Sequence, residues 1–527
     1  MNLQKEGKSK MREMMARTLT FGLSGVRGFP VQVEVFSTGG MPGMEIIGLP
    51  DASVRESRER VNAAILNSGK EMPPRRITIN LAPADTRKEG PSFDLPIAVG
   101  LLAANMQIFP RADLDLKKTV LFGELSLDGQ IHPVNGALAI VISASEQGLT
   151  DVILPAENAM EAACIQGMNI FPAHSLTEVI EHIEGKRIIP PQEQLDYETL
   201  KAQRIPSTDL SQVKGQQSAR RALEVAAAGG HNMLMIGAPG SGKTMLARSL
   251  PGILPPLSFS ESLETTRIFS IAGKLQPGSG LMVERPFCAP HHSASVASMV
   301  GGGSNASPGE VSLAHNGVLF LDELPEFSRA ALEALRQPLE DGVVTVSRVR
   351  RQAQYQSSFM LIAGMNPCPC GYYGSRQREC RCTPVEIRRY LDQVSGPLLD
   401  RIDIQVEVDT VPVQEIRASK PAESSAQVAE RVALARRIQQ ERYRQTPFHC
   451  NAQLDNAGIR QYCRLSPDAE SLLNLAVERM NLSMRAYHRV IKVARTIADL
   501  QQEEKIGTAE IAEAIQYREL DQKYWRG

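Results

Sequence analysis

A glycine-rich segment at residues 237–244 has the residue types and spacing needed to hold the phosphate chain of a nucleotide. Glycines let backbone N–H groups close around the phosphates, a lysine brings positive charge to the β and γ oxygens, and a threonine hydroxyl can bind Mg²⁺. An apolar run precedes the segment and a helical pattern follows it, so the sequence predicts an ATP and Mg²⁺ site at a strand-to-helix turn. The segment, called the P-loop below, fits G-x-x-x-x-G-K-[ST] at every fixed position: Gly237, Ala238, Pro239, Gly240, Ser241, Gly242, Lys243 and Thr244.

Two acids end a second apolar run, at residues 317–323. A buried strand that ends in paired carboxylates is costly unless a cation lies there. We therefore expect Asp322 to hold Mg²⁺ through water, and Glu323 to orient and deprotonate the attacking water. A third apolar run at 359–364 leads to Asn366, whose amide is expected to position the same water. These residues together predict an ATP-hydrolysing site.

Four cysteines lie within fifteen residues, and four more are scattered along the chain. Two close pairs of thiolates can form a tetrahedral Zn²⁺ site with no open position, which indicates a structural metal. Such a cluster in a large chain favours a reducing, cytoplasmic location over a disulfide framework. The alternative is a set of free surface thiols. The predicted ligands are Cys368, Cys370, Cys380 and Cys382.

Length and composition indicate an ordinary globular protein of about three domains, each of roughly 150–200 residues. The 527 residues are 42% hydrophobic and 22% charged. The net charge is −1, so the chain has no overall positive field that would indicate binding to nucleic acid. The sequence contains no apolar run of about 18 residues, so it predicts no membrane span. The expected α/β organisation is a flexible tail (1–17), an α/β domain (18–185), a linker (186–207), a parallel α/β core (208–410) with the cysteine insertion (368–382), and a helical lid (411–527).

Two basic segments are candidates for contact with a substrate. The alternating run 343–351 predicts a β-hairpin that carries Arg348 and Arg350, and arginines suit phosphates. A solvated edge strand is the alternative. The loop 289–293 contains two adjacent histidines, which fit either a mobile pore loop or a helix cap.

Three further motifs give the chain a family resemblance. Val213-Lys-Gly-Gln216, the segment 314–324 and the segment 398–403 are similar to the ComM/YifB family of magnesium-chelatase-like AAA+ ATPases, over essentially the whole chain. The resemblance implies that Arg401 is an arginine finger reaching a neighbouring subunit and that Arg485 is a sensor in the lid. It also implies a homohexameric ring that acts on branched or single-stranded DNA, as a helicase promoting branch migration in recombination or natural transformation.

The segments 88–96 and 123–129 resemble the Lon protease domain, a ribosomal-protein-type α/β fold. Ser92 occupies the place of the nucleophile, but Leu138 stands where the partner lysine is expected. Serine without a base is a poor nucleophile, so we predict no peptidase activity and a scaffolding role. Lys88, four residues before Ser92, leaves a protease as an alternative.

Motors that act on proteins are the main alternatives to a DNA motor. A chelatase-type motor would remodel a protein partner for metal insertion and needs a companion subunit. An unfoldase would favour an aromatic-hydrophobic pore loop and an intact Ser–Lys pair. The residue types alone establish an ATPase motor and leave its substrate open.

Overall fold

A computed structural model describes residues 15–202, 208–303, 306–348, 351–374, 378–410 and 422–526. The chain divides into two compact units. The first is Met1–Gln203 with Phe259–Met282, and the second is Arg204–Ser258 with Val283–Gly527. Among the described residues, no helix has the length and apolar character that a membrane crossing requires.

A mixed seven-stranded sheet forms the first unit. Alternating valines at 31, 33 and 35 are fully buried, which is the period-2 pattern of a strand packed on one face. The sheet order is Gly43–Ile47, Arg76–Ala82, Arg27–Thr38, Met15–Ser24, Thr119–Leu121, Asp151–Pro155 and Asn169–Ala173. A small separate ladder joins Glu124–Leu125 and Ile131–His132. The helices are Ala52–Asn67, Asp94–Ala104, Ala137–Glu146, Ala159–Ala162, Leu176–Ile183, Tyr197–Ala202 and Phe259–Ile271.

Three predicted boundaries in this unit are wrong. The first strand begins at Met15, inside the expected tail 1–17, because the chain from Met15 pairs in register with the strand Arg27–Thr38. The expected linker 186–207 contains the helix Tyr197–Ala202, whose buried Tyr197 ring packs against the ring of Phe259 at 5.5 Å.

The segment Phe259–Met282 was also expected in the ATPase core 208–410, but it packs into the first unit. Its helix contacts the helix Ala137–Glu146, and the Gly136 N–H donates to the Ser270 carbonyl at 3.0 Å. The Ser262 hydroxyl donates to the Met282 carbonyl at 2.6 Å, which connects the two ends of this segment.

A five-stranded parallel sheet is the centre of the second unit, as the sequence predicted. Its order is Phe287–Cys288, Val318–Leu321, Met360–Met365, Met233–Ile236 and Ile404–Glu407. The three central strands are apolar and buried on both faces, which is typical of parallel sheets covered by helices. The carboxyl ends of these strands lie along one edge of the sheet. The surrounding helices are Gln217–Gly229, Lys243–Ile253, Val296–Val300, Glu310–Leu313, Arg329–Ala334, Arg336–Asp341, Pro384–Leu391 and Gly396–Leu399.

Two short antiparallel ladders extend from this sheet. The predicted hairpin is confirmed as Val343–Arg348 paired with Arg351–Gln356. Arg350 and the side chain of Arg348 lie outside the described residues, so the predicted arginine face of the hairpin is not tested. The second ladder pairs Gly301–Gly302 with Ser307–Pro308.

Helices make up the described part of the C-terminal region, as expected. They are Ser425–Arg442, Asn456–Tyr462, Pro467–Met480, Met484–Gln501 and Thr508–Gln516, and four of the five begin at a Ser or Asp side chain that caps the helix. Arg495 is only 1% exposed and pairs with Asp499 at 3.1 Å. The same carboxylate also binds Arg442, so this acid joins two lid helices.

Candidate nucleotide site and four-cysteine cluster

The predicted ATP-site residues meet at the carboxyl edge of the parallel sheet. The strands ending at Ile236, Leu321 and Met365 are neighbours, and the P-loop, Asp322 and Asn366 follow them directly. Because parallel strands end at the same edge, residues more than 120 positions apart in the chain become adjacent.

Glycines give the P-loop its shape. The Gly237 N–H donates to the Met365 carbonyl at 3.1 Å, and a Cβ at Gly237 would lie 2.3 Å from the Val408 carbonyl oxygen, so no larger residue fits. Gly240 and Gly242 have φ of 76° and 95°, and a Cβ at either would meet nothing within 4 Å. The loop therefore leaves an open cradle before the helix Lys243–Ile253, as an anion site requires.

Lys243 is buried beneath the loop. Its ammonium donates to the carbonyls of Gly237 at 2.7 Å and Ala238 at 3.1 Å, and to the Asn366 Oδ1 at 3.3 Å. Burial lowers the pKa of Lys243, and the charge of Asp322 opposes that shift. The lysine is thus held between the P-loop and Asn366, where bound phosphate oxygens would further favour its charged form.

Thr244 and Asp322 form the predicted Mg²⁺ pair. The Thr244 hydroxyl donates to the Asp322 Oδ2 at 2.7 Å. A Cβ at Gly364, on the adjacent strand, would lie 2.9 Å from the Asp322 Oδ1, so glycine makes room for this carboxylate. Hydroxyl and carboxylate oxygens are the ligands that Mg²⁺ prefers beside nucleotide phosphates.

Glu323 has a left-handed backbone with φ of 53°, which is unusual for a residue with a side chain. Its N–H donates to the Asp322 Oδ1 at 3.0 Å, and its Oε2 lies 3.3 Å from the His292 Nδ1. Sequence reasoning did not assign His292 to this site. The strand Phe287–Cys288 pairs with the strand that ends before Asp322, so the loop after it reaches the same edge. The pairing of these strands is the signal that would have found it.

Gln216 is a second residue that sequence reasoning did not place in the site. Its amide donates to the Ser241 carbonyl at 3.1 Å and also bonds the Asp409 carbonyl. The buried Ser241 hydroxyl has no hydrogen-bond partner among the described residues. An unpartnered polar atom inside the P-loop, next to an open cradle, fits a segment built to receive a polar ligand.

The two arginines implied by the family resemblance lie in ion pairs within this chain. Arg401 bonds Glu340 and donates to the Pro397 carbonyl at 2.5 Å. Arg485 is 70% exposed and donates to the Asp400 carboxylate at 3.2 Å. Neither is brought onto its own P-loop by the contacts found here, and both pairs include an exposed or half-exposed acid that can exchange for another partner.

The four predicted cysteine ligands converge. Their sulfur atoms all lie within 4.8 Å of one another, with Cys368 3.4 Å from Cys370 and 3.7 Å from Cys380. Ligands about 2.3 Å from a tetrahedral Zn²⁺ lie about 3.8 Å apart, so the spacing fits a bound metal. The donor set can therefore hold one metal ion.

The acidities of these thiols differ. The Arg381 N–H donates to the Cys370 sulfur and helps lower the pKa of that thiol to about 6. Burial raises the pKa of Cys382 to about 12. Four adjacent thiols cannot all lose their protons unless a cation offsets their charge, and a metal would supply it.

In the Lon-like part of the chain, the described contacts do not bring Ser92 and Lys88 together as a catalytic pair. Ser92 lies in the short 3₁₀ helix Pro91–Phe93, and its carbonyl accepts from the Gly123 N–H at 3.0 Å. Lys88 is fully buried and donates to the Pro83 carbonyl. Leu138 is fully buried in the helix Ala137–Glu146.

Family models of the magnesium chelatase ChlI subunit match three parts of the chain. The model described as "Magnesium chelatase, subunit ChlI" covers 209–416, "Subunit ChlI of Mg-chelatase" covers 33–158, and "Magnesium chelatase, subunit ChlI C-terminal" covers 422–518. The chain is also 44% identical to the uncharacterized protein YifB of Salmonella typhimurium over 499 residues, which is 94% of this chain and 96% of that protein. It is 42% identical to the competence protein ComM of Haemophilus influenzae over 502 residues, again 94% and 96%.

The chain belongs to the ComM/YifB family of magnesium-chelatase-like proteins. Membership of this AAA+ family and the geometry at the sheet edge agree on an ATPase that uses ATP and Mg²⁺. Part of the chain also resembles Lon, with 24% identity to the Lon protease of Mycolicibacterium smegmatis over 169 residues, which is 30% of this chain and 21% of that protein. The Lon likeness is therefore partial, whereas the ComM/YifB likeness is nearly complete.

Proposed function

We propose that this chain is an ATP-driven ring motor that acts on DNA, as a helicase promoting branch migration in recombination or natural transformation. The relative named a competence protein supports this proposal. The observation that carries it is an exposed arginine surface made of Arg329, Arg388 and Arg389. These side chains line an open depression of about 430 Å³ with Val385, Asp392 and Gln393.

The arginine surface suits a phosphate backbone. None of its three guanidinium groups has an ion pair within 4.0 Å in the described part of the chain, and Asp392 is the single acid that lines the depression. Arginine is permanently charged and presents a planar fork that matches phosphate oxygens. An open depression lined by three arginines and one acid favours an extended anion.

ATP turnover with and without DNA tests the proposal. Purified protein is assayed with no DNA, with single-stranded DNA and with a four-way junction, and Lys243→Ala is the inactive control. We expect DNA to stimulate turnover. Turnover that is indifferent to every DNA would contradict a DNA motor and favour a motor that remodels a protein partner.

The arginine surface is tested by binding at several salt concentrations. Because each phosphate contact contributes about 0.9 to the slope of log K against log salt, Arg329→Ala/Arg388→Ala/Arg389→Ala should reduce the slope by about 2 to 3. The matched control is Arg437→Ala/Arg444→Ala, which removes two exposed arginines from another open depression. Equal slopes in the two variants would exclude this surface from DNA contact.

We propose that the motor is a homohexameric ring in which Arg401 reaches the nucleotide of a neighbouring subunit and Arg485 acts from the lid. The Arg401 side chain is 13% exposed and bonds Glu340 and the Pro397 carbonyl, and its described contacts include no residue of its own P-loop. A charge supplied in trans stabilises the transition state of phosphoryl transfer.

We also propose that the four cysteines hold one structural Zn²⁺. Replacing Cys380 and Cys382 by serine should remove about one zinc per chain, because two of four ligands are lost. Metal analysis of the purified proteins measures this directly, with Cys164→Ser as a control because that cysteine is buried outside the cluster. Equal zinc in the wild type and the double variant would refute the site.

The N-terminal unit is proposed to be a scaffold without peptidase activity. Leu138 lies in the apolar interior, and the fully buried Lys88 is bonded to a backbone carbonyl. A serine nucleophile needs a base within hydrogen-bond reach, and these residues do not provide one among the contacts described.

A further inference from the structure

The four-cysteine cluster adjoins the ATP site along the chain. Cys368 is fully buried and follows Asn366 by two residues, and Asn366 accepts a hydrogen bond from Lys243. The strand Met360–Met365 is therefore followed first by a side chain that contacts the P-loop lysine and then by a candidate metal ligand. Any force that fixes Cys368 also limits where Asn366 can lie.

The turn within the cluster packs on the P-loop itself. Gly371 has φ of 82°, and its N–H donates to the Cys368 carbonyl at 2.9 Å. A Cβ at Gly371 would lie 2.5 Å from the Cδ and 2.8 Å from the Cγ of Pro239. The backbone of the cysteine turn and the ring of the P-loop proline are thus in direct contact, with no room for a methyl group between them.

The helix that follows the last cysteine contacts Asn366. Thr383, which follows Cys382, caps the helix Pro384–Leu391 through a capping box. Tyr390 at the end of that helix is buried, which raises the pKa of its phenol, and a hydrogen bond from the Asn366 backbone opposes the shift. The helix that follows the cysteine segment therefore reaches Asn366, which lies two residues before Cys368, while the turn at Gly371 contacts Pro239.

We propose that the metal-loaded cysteine cluster is a positioning element of the ATP site: it fixes Pro239 and Asn366, so that metal loading sets the affinity for ATP. The inference rests on the proposed zinc site and on the P-loop ATPase. Four thiolates bound to one cation lock residues 368–370 to residues 380–382 and hold the turn against Pro239. Without the cation the four thiols have only weak S–H contacts, and the turn is no longer clamped.

Two glycine variants separate this contact from backbone strain. Gly371 and Gly374 both have positive φ, 82° and 74°, so alanine is strained at either. A Cβ at Gly374 meets nothing within 4 Å, whereas one at Gly371 collides with Pro239. Both variants should retain zinc. We expect Gly371→Ala to raise the KM for ATP about tenfold with a smaller change in kcat, since small misplacements in a site have large effects. Gly374→Ala should leave the KM for ATP within about twofold of the wild-type value.

A double variant tests whether Pro239 is the partner. In Pro239→Ala the Cδ and Cγ are absent, and the next nearest atom to a Cβ at residue 371 is the residue 239 nitrogen at 3.8 Å. The effect of Gly371→Ala on KM should therefore be much smaller in the Pro239→Ala background than in the wild type. Additive effects, or equal KM values for Gly371→Ala and Gly374→Ala, would overturn the inference.

Removal of the metal completes the test and separates the two proposals. Wild-type protein is stripped with a chelator and reloaded with zinc, and binding of a fluorescent, non-hydrolysable ATP analogue is measured at each stage. We expect weaker binding in the stripped protein and recovery on reloading. Zinc that is present but without effect on nucleotide affinity refutes the coupling alone. If the wild type contains no zinc, the metal site itself fails, and the inference fails with it.

Discussion

The ATP edge of the second unit and the Lon-like segments of the first unit both carry residues typical of an enzyme, but only the ATP edge brings them together. Lys243 contacts the P-loop and Asn366, and Thr244 contacts Asp322, all within 3.3 Å. In the first unit, Lys88 bonds a backbone carbonyl, and Leu138 is buried where a lysine was sought. Both regions have suitable residue types, and they differ in whether these side chains contact one another.

The pKa values of the two buried lysines, one in each region, shift in the same direction. Burial lowers the pKa of both Lys88 and Lys243, and in each case a nearby carboxylate opposes the shift. For Lys243 that carboxylate is Asp322, which belongs to the same site, and a phosphate chain would add further negative charge. For Lys88 it is Asp85, three residues away along the chain. A perturbed pKa therefore indicates function only where the other groups of the reaction are also present.

Loss of Arg401 should have the largest effect on catalysis. Arg401→Ala is expected to lower kcat by about 10³-fold with little change in KM, because an arginine finger stabilises the transition state. Mixing Arg401→Ala with Lys243→Ala should restore part of the turnover, since each supplies what the other lacks across a subunit boundary. No recovery in the mixture would contradict action in trans.

The next largest effect is expected at Glu323. Glu323→Gln should lower kcat by about 10²- to 10³-fold while ATP binding is retained, because an amide cannot accept the proton of the attacking water. The control is Glu326→Gln, an exposed acid in the same turn. Unchanged turnover in Glu323→Gln would remove the hydrolytic assignment and weaken the contrast between the two regions.

Asp94 should matter for stability and not for turnover. It is fully buried, and its carboxylate pairs with Arg60 at 2.6 Å and accepts from the Leu125 N–H. Asp94→Asn should reduce the free energy of unfolding by about 2 kcal/mol, the typical contribution of charge-assisted hydrogen bonds. Denaturant titration measures this. Asp113→Asn, whose carboxylate is 76% exposed in its pair with Arg111, should change stability by less than about 0.5 kcal/mol.

The smallest effect is expected at Ser92. Ser92→Ala should change neither ATP turnover nor the hydrolysis of a fluorogenic peptide, which should be at background in the wild type, because no base is paired with this serine among the described residues. Peptide cleavage by the wild type that disappears in Ser92→Ala would reverse the comparison and make the first unit an enzyme.

Much of the second unit could be predicted because its signals are local. The buried strands Met233–Ile236, Val318–Leu321 and Met360–Met365 are short apolar runs, each followed at once by functional residues. The hairpin near residue 350 and the C-terminal helices also follow from their periodicity. The excursion Phe259–Met282 could not be found this way, because its helix leaves the ATPase core to pack on a helix more than 110 residues earlier.

The P-loop, the acid pair and the cysteine pairs could be identified from residue types alone, because each depends on residues within a few positions of one another. The folded chain was needed to show that His292 contacts Glu323, that Gly371 packs on Pro239 and that Arg401 pairs with Glu340. These contacts depend on strand order and on the exit direction of each loop. Those are set by packing of the whole sheet, and no local pattern encodes them.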